Sequence, residues 1–236
     1  MRLKKMALRA LKPLAEGVFA RDSVAGLALR AVNFARFRAW CARYDQPPTG
    51  AGDAGRFQLF SALVQAGWTQ DVISYLEFGV YRGDTLKWWL EKNTNPGSRF
   101  VGFDTFTGLP EDWNPMFRRG DFSTDGKPPW VDAPRCRFEK GLFQRTLPGF
   151  IRSFPFHGQT IVHLDADLYS STLFVLLTVG PHLKEGDLLI FDEFWDYMSE
   201  FRAFLDFLAA YPIDYKVLGR TEEFAQVAVR IEGTPT

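Results

Sequence analysis

Cysteine is nearly absent. Cys41 and Cys136 are the only two in 236 residues, far apart and without a metal-ligand spacing. That excludes a disulfide-built scaffold and a zinc ribbon, and it predicts reduced thiols in a cytoplasmic protein. No run of about 18 apolar residues occurs, so no membrane-spanning helix is expected. Met1-Arg2-Leu3-Lys4-Lys5 has the charge of a secretory leader, but Arg9, Lys12 and Glu16 interrupt any apolar segment behind it. Histidine is scarce as well. His157, His163 and His182 lack zinc-like spacing. His163 alternates with Asp165 along an apolar run, which reads as a core residue or one standing behind a site. Net charge is zero, and no nucleic-acid recognition motif is present.

What the chain has in excess is aromatic surface, 16% with 23 Phe and 7 Trp. That favours a large core and a stacking pocket for a planar ligand. The neutral total hides an asymmetry. Residues 1–44 hold ten Lys or Arg against only Glu16 and Asp22, so an equal excess of acid lies in the remainder. Leu8, Leu11, Leu14 and Val18 recur at helical spacing, as do Leu27, Ala31, Phe34 and Phe37, which predicts two or three helices here. Such a basic arm could pair two copies of the chain, lie on an anionic membrane surface, or be a solvated face; dimerisation is the leading expectation. Gln46-Pro47-Pro48-Thr49-Gly50-Ala51-Gly52 reads as a linker. The expected division is an arm and linker over 1–55 and one domain over 56–236.

A short helix is predicted over 56–67. Strands and helices then alternate: strands at 73–80, 99–106, 136–140, 160–165 and 187–192, with helices at 85–92, 146–154, 170–183 and 200–211. Residues 111–134 read as loop-rich, with Trp113–Trp130 as a mobile loop that could wall the site. Strands at 215–218 and 224–231 close the chain without a helix between them. This pattern predicts an α/β fold with a doubly wound, mostly parallel seven-stranded sheet and a C-terminal antiparallel hairpin.

Two acidic turns stand out. Ile161-Val162-His163-Leu164-Asp165-Ala166-Asp167 and Leu188-Leu189-Ile190-Phe191-Asp192-Glu193 each end an apolar run in carboxylates, with one helical segment between them. Strands so connected are usually parallel neighbours, so the carboxylates should meet at the sheet edge where open α/β folds bind ligands. Like charges crowded together call for a shared proton or a cation, and oxygen-rich sets suit Mg²⁺, Ca²⁺ or Mn²⁺. The alternative is a pair of solvated strand ends, with Asp167 capping the next helix.

Glu77-Phe78-Gly79-Val80-Tyr81-Arg82-Gly83 follows the first predicted strand and opens a helix. Its G-x-x-x-G spacing departs from the dinucleotide fingerprint. An acid two residues before the first glycine suits a ligand with an ammonium group rather than a pyrophosphate; the bland reading is a tight turn without a ligand. Asp104, at the end of the second strand, is placed to accept from both hydroxyls of a ribose.

Leu76–Val80, Phe103-Asp104-Thr105-Phe106-Thr107-Gly108-Leu109-Pro110, Lys140-Gly141-Leu142-Phe143-Gln144-Arg145-Thr146-Leu147-Pro148, Leu164-Asp165-Ala166-Asp167-Leu168-Tyr169-Ser170 and Gly186-Asp187-Leu188-Leu189-Ile190-Phe191-Asp192-Glu193-Phe194 occur in this order. Together they resemble the macrocin O-methyltransferase family over about residues 55–232. The resemblance implies a class I S-adenosylmethionine-dependent, Mg²⁺-dependent O-methyltransferase. By position it places Glu77, Gly79 and Tyr81 at the methionine end of the cofactor, Asp104 on the ribose, and Phe106, Ser123, Gly141 and Leu142 around the adenine. Asp165, also counted with the cofactor, Asp192 and Glu193 match the metal positions, and Asp167 matches the general base. The family often has Asp-Asp where this chain has Asp192-Glu193.

The expected reaction is in-line methyl transfer to a hydroxyl of a small molecule with neighbouring hydroxyls, a sugar moiety of a natural product or glycan being the leading acceptor. A metal-dependent hydrolase or phosphatase on the same sheet is the rival enzyme. A degenerate methyltransferase fold serving as a binding module is the rival outside enzymes.

Overall fold

The computed structural model describes residues 22–68 and 71–235. The chain divides into two compact units, residues 1–45 and 46–236. In the first, helix α1 spans Asp22–Arg43. The earlier part of the predicted helical arm lies outside the described residues. At the end of α1 the Trp40 and Tyr44 rings meet with centroids 4.5 Å apart. No helix among the described residues is long and apolar enough to cross a membrane.

The segment read as a linker is tied into the second unit. The Thr49 N–H donates to the Arg220 carbonyl at 2.7 Å, and Gly50 bridges to Thr221. A side chain at Gly50 would stand 2.2 Å from the Gly55 carbonyl oxygen, so only glycine fits.

The second unit is built on seven strands: β1 (Ile73–Phe78), β2 (Arg99–Asp104), β3 (Cys136–Lys140), β4 (Gln159–Leu164), β5 (Leu188–Phe191), β6 (Asp214–Arg220) and β7 (Val227–Gly233). Their order in the sheet is β3-β2-β1-β4-β5-β7-β6. Neighbours from β3 to β5 run parallel, and β7 is antiparallel to both β5 and β6. This is the doubly wound sheet with a terminal hairpin that the alternating pattern predicts. Strand order reverses between β1 and β4, the place where such sheets open a crevice. All six residues of β1 are buried, as expected of a central parallel strand covered on both faces.

Among the described residues five α-helices complete the unit: α2 (Gly55–Leu63), α3 (Asp84–Lys92), α4 (Phe143–Ser153), α5 (Tyr169–Val179) and α6 (Glu200–Ala210). Period-2 alternation divides the strands between two faces. Ile73 and Tyr75 of β1, Ile161 of β4 and Ile190 of β5 share a core with Leu59, Phe60 and Leu63 of α2 and Leu86 and Trp89 of α3. On the other face Phe78 stacks on Phe103 at 4.6 Å and meets Phe143 of α4 edge-on. Glu77, His163 and Asp192 keep the parity of the α2 side, and this decides where their side chains go.

Candidate active site

The parallel pairing runs one residue past each strand and brings the strand ends level. Gly79 N–H donates to Phe103 O, Gly141 N–H to Asp104 O, Asp165 N–H to Phe78 O and Asp192 N–H to Leu164 O, all at 2.9–3.0 Å. The first constraint on Gly79 is therefore internal. At φ +93° a Cβ there would lie 1.7 Å from the Asp165 carbonyl oxygen. No side chain is possible at that crossing.

Asp104 organises the glycine turn. Its Oδ2 accepts the N–H groups of Val80 and Tyr81, each at 2.9 Å, and its Oδ1 accepts Phe106 N–H at 2.7 Å. A carboxylate has about four acceptor positions, so roughly one remains for a ligand. That is enough for one ribose hydroxyl rather than both. Tyr81 (φ 50°), Phe106 (φ 58°) and Asp167 (φ 59°) hold left-handed backbone in the turns after β1, β2 and β4. Strain of this kind, of order 1–3 kcal/mol per residue, gathers where a ligand is received.

On the other side lies an acidic group. Oxygen atoms of Asp165, Asp167 and Glu193 fall within 4.8 Å of one another. Of the pair Asp192-Glu193, it is Glu193 that joins them. Asp192 keeps the parity of Ile190 and is 1% exposed. Its Oδ2 is in contact with the Arg56 guanidinium, and its Oδ1 lies 3.6 Å from His163 Nε2. Another Arg56 nitrogen stands 3.9 Å from Asp165. Glu200, at the start of α6, is fully buried and accepts Glu193 N–H at 3.0 Å. The second oxygens of Glu193 and Glu200 are buried without a hydrogen-bond partner.

Burial and mutual repulsion shape the electrostatics. Desolvation, then the charges of Asp192 and Asp165, hold Glu193 and Glu200 well above the ordinary glutamate range. Asp165 is raised by burial and by Asp192 and Asp167. Asp167 is pushed up to about 7, first by desolvation and then by Asp192, Asp104 and Asp196. Burial alone would lower the His163 pKa, but Asp192 and Glu77 on either side outweigh it and raise it to about 10.

Between the two sides opens a cavity of about 430 Å³ lined by Gly79, Tyr81, Asp104, Leu142, Asp165, Asp167, Glu193 and Arg56, with Trp113, Phe117, Phe122 and Trp195 as its aromatic wall.

The model of the family described as macrocin-O-methyltransferase (TylF) matches residues 130–219, a stretch holding both acidic turns. CalS11, a calicheamicin methyltransferase of solved structure, is 25% identical with a TM-score of 0.56, covering 74% of this chain and 80% of its own. Over residues 130–219 the chain is thus similar to the macrocin O-methyltransferase family. A search of curated proteins returns no match. The fold is shared with the O-methyltransferase NovP, at 19% identity, TM-score 0.57 and coverage of 75% and 79%. It is shared too with a structure of cmcI described as a Mg-SAM form, at 18% identity, TM-score 0.51 and coverage of 73% and 70%. The family matched and CalS11 share one activity, and on that ground the protein is an O-methyltransferase.

Within this O-methyltransferase the sequence-predicted residues separate. Gly79, Tyr81, Asp104, Leu142, Asp165, Asp167 and Glu193 line the cavity; Glu77, Phe106, Ser123, Gly141 and Asp192 do not. Glu77, expected at the methionine end, is 1% exposed because it shares the Tyr75 face of β1. It accepts the Tyr75 hydroxyl at 2.5 Å and stands 3.7 Å from His163. Phe106 is fully buried edge-on to Phe138. Its carbonyl accepts the N–H groups of Thr124 and Gly126. Ser123 Oγ accepts Asp125 N–H at 3.1 Å. Gly141 supports Asp104 through its backbone. Asp192, expected among the metal ligands, contacts Arg56 and lies 3.6 Å from His163.

The loop over 111–134 makes two side-chain contacts to other segments and one within itself. Trp113 Nε1–H donates to Asp196 at 2.8 Å, the Ser170 hydroxyl to Glu111 at 2.7 Å, and Arg118 pairs with Asp112 at 2.9 Å. Sequence reasoning missed Arg56, Trp195 and Glu200. The signal for Arg56 was weak, a lone cation at the start of a short helix far from either acidic turn.

Proposed function

We propose that this O-methyltransferase takes its methyl group from S-adenosylmethionine and places it on a hydroxyl of a small molecule, a sugar moiety of a natural product or glycan, with Mg²⁺ at the acidic group. The observation that carries the reading is one cavity with two unlike walls, the Asp104-organised glycine turn on one side and the Asp165, Asp167 and Glu193 oxygens on the other. The residues fit a divalent ion. The donors are hard carboxylate oxygens, and the buried Glu193 Oε2 lacks any hydrogen-bond partner. The aromatic wall and left-handed turns fit a cofactor with a planar base. A related CalS11 structure is described as a TDP-rhamnose 3'-O-methyltransferase, which supports a sugar acceptor.

S-adenosylmethionine supplies an electrophilic methyl group, and Mg²⁺ supplies Lewis acidity that eases loss of a hydroxyl proton. Asp165, Asp167 and Glu193 would hold the metal. Asp167, at the acceptor side of the group, takes the acceptor's proton. Asp104 offers its one remaining acceptor position to the ribose. Trp113, Phe117, Phe122 and Trp195 exclude water from the reacting atoms.

The test has two stages. Calorimetry with S-adenosylhomocysteine should show micromolar binding, and absence of binding would overturn the reading. Labelled methyl transfer to a panel of sugar nucleotides and phenols should then favour the sugars, stop with EDTA and resume with Mg²⁺. Transfer untouched by EDTA would remove the metal from the proposal.

A further inference from the structure

Three rings of the aromatic wall form a continuous ladder. Trp113 stacks on Phe117 with centroids 5.2 Å apart, Phe117 meets Phe122 at 5.2 Å, and Phe122 stands edge-on to Tyr81 at 5.8 Å. The two ends of the ladder are fastened to different walls. Tyr81 lies in the glycine turn, where Asp104 accepts its N–H. Trp113 is tied to the acidic side twice. Its Nε1–H donates at 2.8 Å to Asp196 Oδ2, just beyond Glu193 in the chain. Two residues before it, Glu111 accepts at 2.7 Å the hydroxyl of Ser170, just beyond Asp167.

The turn after β5 adds a second indole. Phe194 N–H donates to Ala225 O at 2.9 Å, and the Phe194 ring is fully buried against Phe191 and Phe204. The next side chain, Trp195, lines the cavity and stays 47% exposed. Asp196 then closes the turn. Its N–H donates to Glu193 O, its Oδ1 accepts Met198 N–H at 2.9 Å, and its Oδ2 accepts the Trp113 indole. One carboxylate thus fixes the turn that carries Trp195 and the ring of Trp113, 83 residues earlier in the chain. Both indoles line the cavity together with Asp165, Asp167 and Glu193. An indole presents a flat, weakly negative face on which C–H groups settle, and it offers that area at little cost in side-chain freedom.

We propose that Trp113 and Trp195 seat the ring of the methyl acceptor and that Asp196 is the positioning residue that holds Trp113 in that seat. A saturated ring with neighbouring hydroxyls, such as a pyranose, lies with C–H groups against indole and turns its hydroxyls to the acidic group. This rests on the methyl-transfer reading given above and divides the aromatic wall. Tyr81 and Phe122 serve the donor, and the two indoles serve the acceptor. Asp196 stands close enough to Asp167 to repel it, yet its part here is played through the indole rather than through its charge.

The probe is methyl α-rhamnopyranoside, a neutral pyranoside with neighbouring hydroxyls. Saturation-transfer NMR reads its affinity for full-length protein with S-adenosylhomocysteine present, and labelled transfer from S-adenosylmethionine gives KM and kcat. Trp113→Ala and Trp195→Ala should each weaken probe binding and raise KM by about tenfold, the weight of one stacked ring, with a smaller fall in kcat. Their affinity for S-adenosylhomocysteine should stay within about threefold, whereas Phe122→Ala should lose about tenfold there. Asp196→Ala should raise KM by about fivefold; Asp196→Asn, whose amide oxygen still accepts the indole N–H, should stay within about threefold. In the Trp113→Ala background Asp196→Ala should add less than about twofold. If circular dichroism shows Asp196→Ala unfolded, Trp113→Phe serves, since it removes the N–H donor and leaves the turn; it should raise KM by about fivefold. An Asp196 effect that persists without Trp113, or that falls on kcat and is equal in Asp196→Asn, would make the residue electrostatic and overturn its positioning role. Unchanged probe affinity in both tryptophan variants, or no probe bound by wild type, would overturn the seat. If the probe binds through the indoles and S-adenosylhomocysteine does not bind at all, the seat stands and the methyl-donor reading falls.

Discussion

Around the ends of β1 and β2 one carboxylate, Asp104, accepts three backbone N–H groups and leaves little unsatisfied. Around the ends of β4 and β5 several carboxylates crowd together, and buried oxygens of Glu193 and Glu200 have no hydrogen-bond partner. Both walls belong to one cavity and stand one strand apart. The first is finished as it folds, because its shape alone must be right for a ligand. The second keeps charge in excess, which costs stability and is retained because chemistry needs it. On the function proposed above, the first wall would seat the donor and the second would face the acceptor.

Gly79→Ala breaks the point where the walls touch and should have the largest effect. A Cβ 1.7 Å from a backbone oxygen cannot be relieved by a rotamer change. A loss of about 3 kcal/mol or more is expected. Thermal melts should show a Tm drop of roughly 10 °C, or no folded protein at all. A normal melt would show that the two strand ends can separate.

Asp167→Asn tests the charged wall alone. Turnover should fall by about a hundredfold or more, the usual share of a general base. Affinity for S-adenosylhomocysteine, measured by calorimetry, should stay within about threefold. Near-normal turnover would remove Asp167 as the base.

Asp104→Asn tests the satisfied wall. An amide must turn its NH₂ toward at least one backbone N–H, so the turn at Val80 and Tyr81 loosens. Affinity for S-adenosylhomocysteine should weaken by about tenfold. Unchanged affinity would detach the turn from cofactor binding.

Asp187 gives a smaller contrast at the opposite end of the same sheet. It is fully buried before β5, accepts the N–H groups of Thr160 and Lys184, and is raised by desolvation to about 6. Its folded pKa lies above the ordinary 3.8, so the folded state holds the proton more firmly. Its contribution is complete below 3.8 and is lost as pH rises through 6. Urea unfolding of wild type and Asp187→Asn from pH 4 to 7 should show a steeper decline in the wild type. Parallel curves would contradict this.

The sheet was legible because apolar runs and helical segments alternate with little interruption from residue 73 onward. The cavity-lining turns were legible too, since Gly79, Asp104, Asp165 and Asp167 all close apolar strands. Side-chain direction was harder. Glu77 and Asp192 follow the two-residue parity of Tyr75 and Ile190 into the core, a reading that strand alternation permits but residue type alone does not. Glu200 was hidden because an acid at a helix N-terminus is ordinarily a solvated partner of the dipole. Asp104's three bonds and Arg56's approach depend on contacts between distant segments, which no local pattern records. The resemblance to a known family proposes donor and metal positions as a set but does not say which carboxylate a nearby arginine contacts.

The bridge from Gly50 to Thr221 carries a consequence for biosynthesis. Arg56 leaves the ribosome before both acidic turns, yet the berth that locates its helix includes Arg220, Thr221 and the neighbourhood of Gly219, which follow them. The carboxylates of both acidic turns are therefore made in the interval. A nascent chain carries these carboxylates before the berth of its own arginine exists, and the β6–β7 hairpin is the clasp that closes the segment around Gly50 onto the sheet.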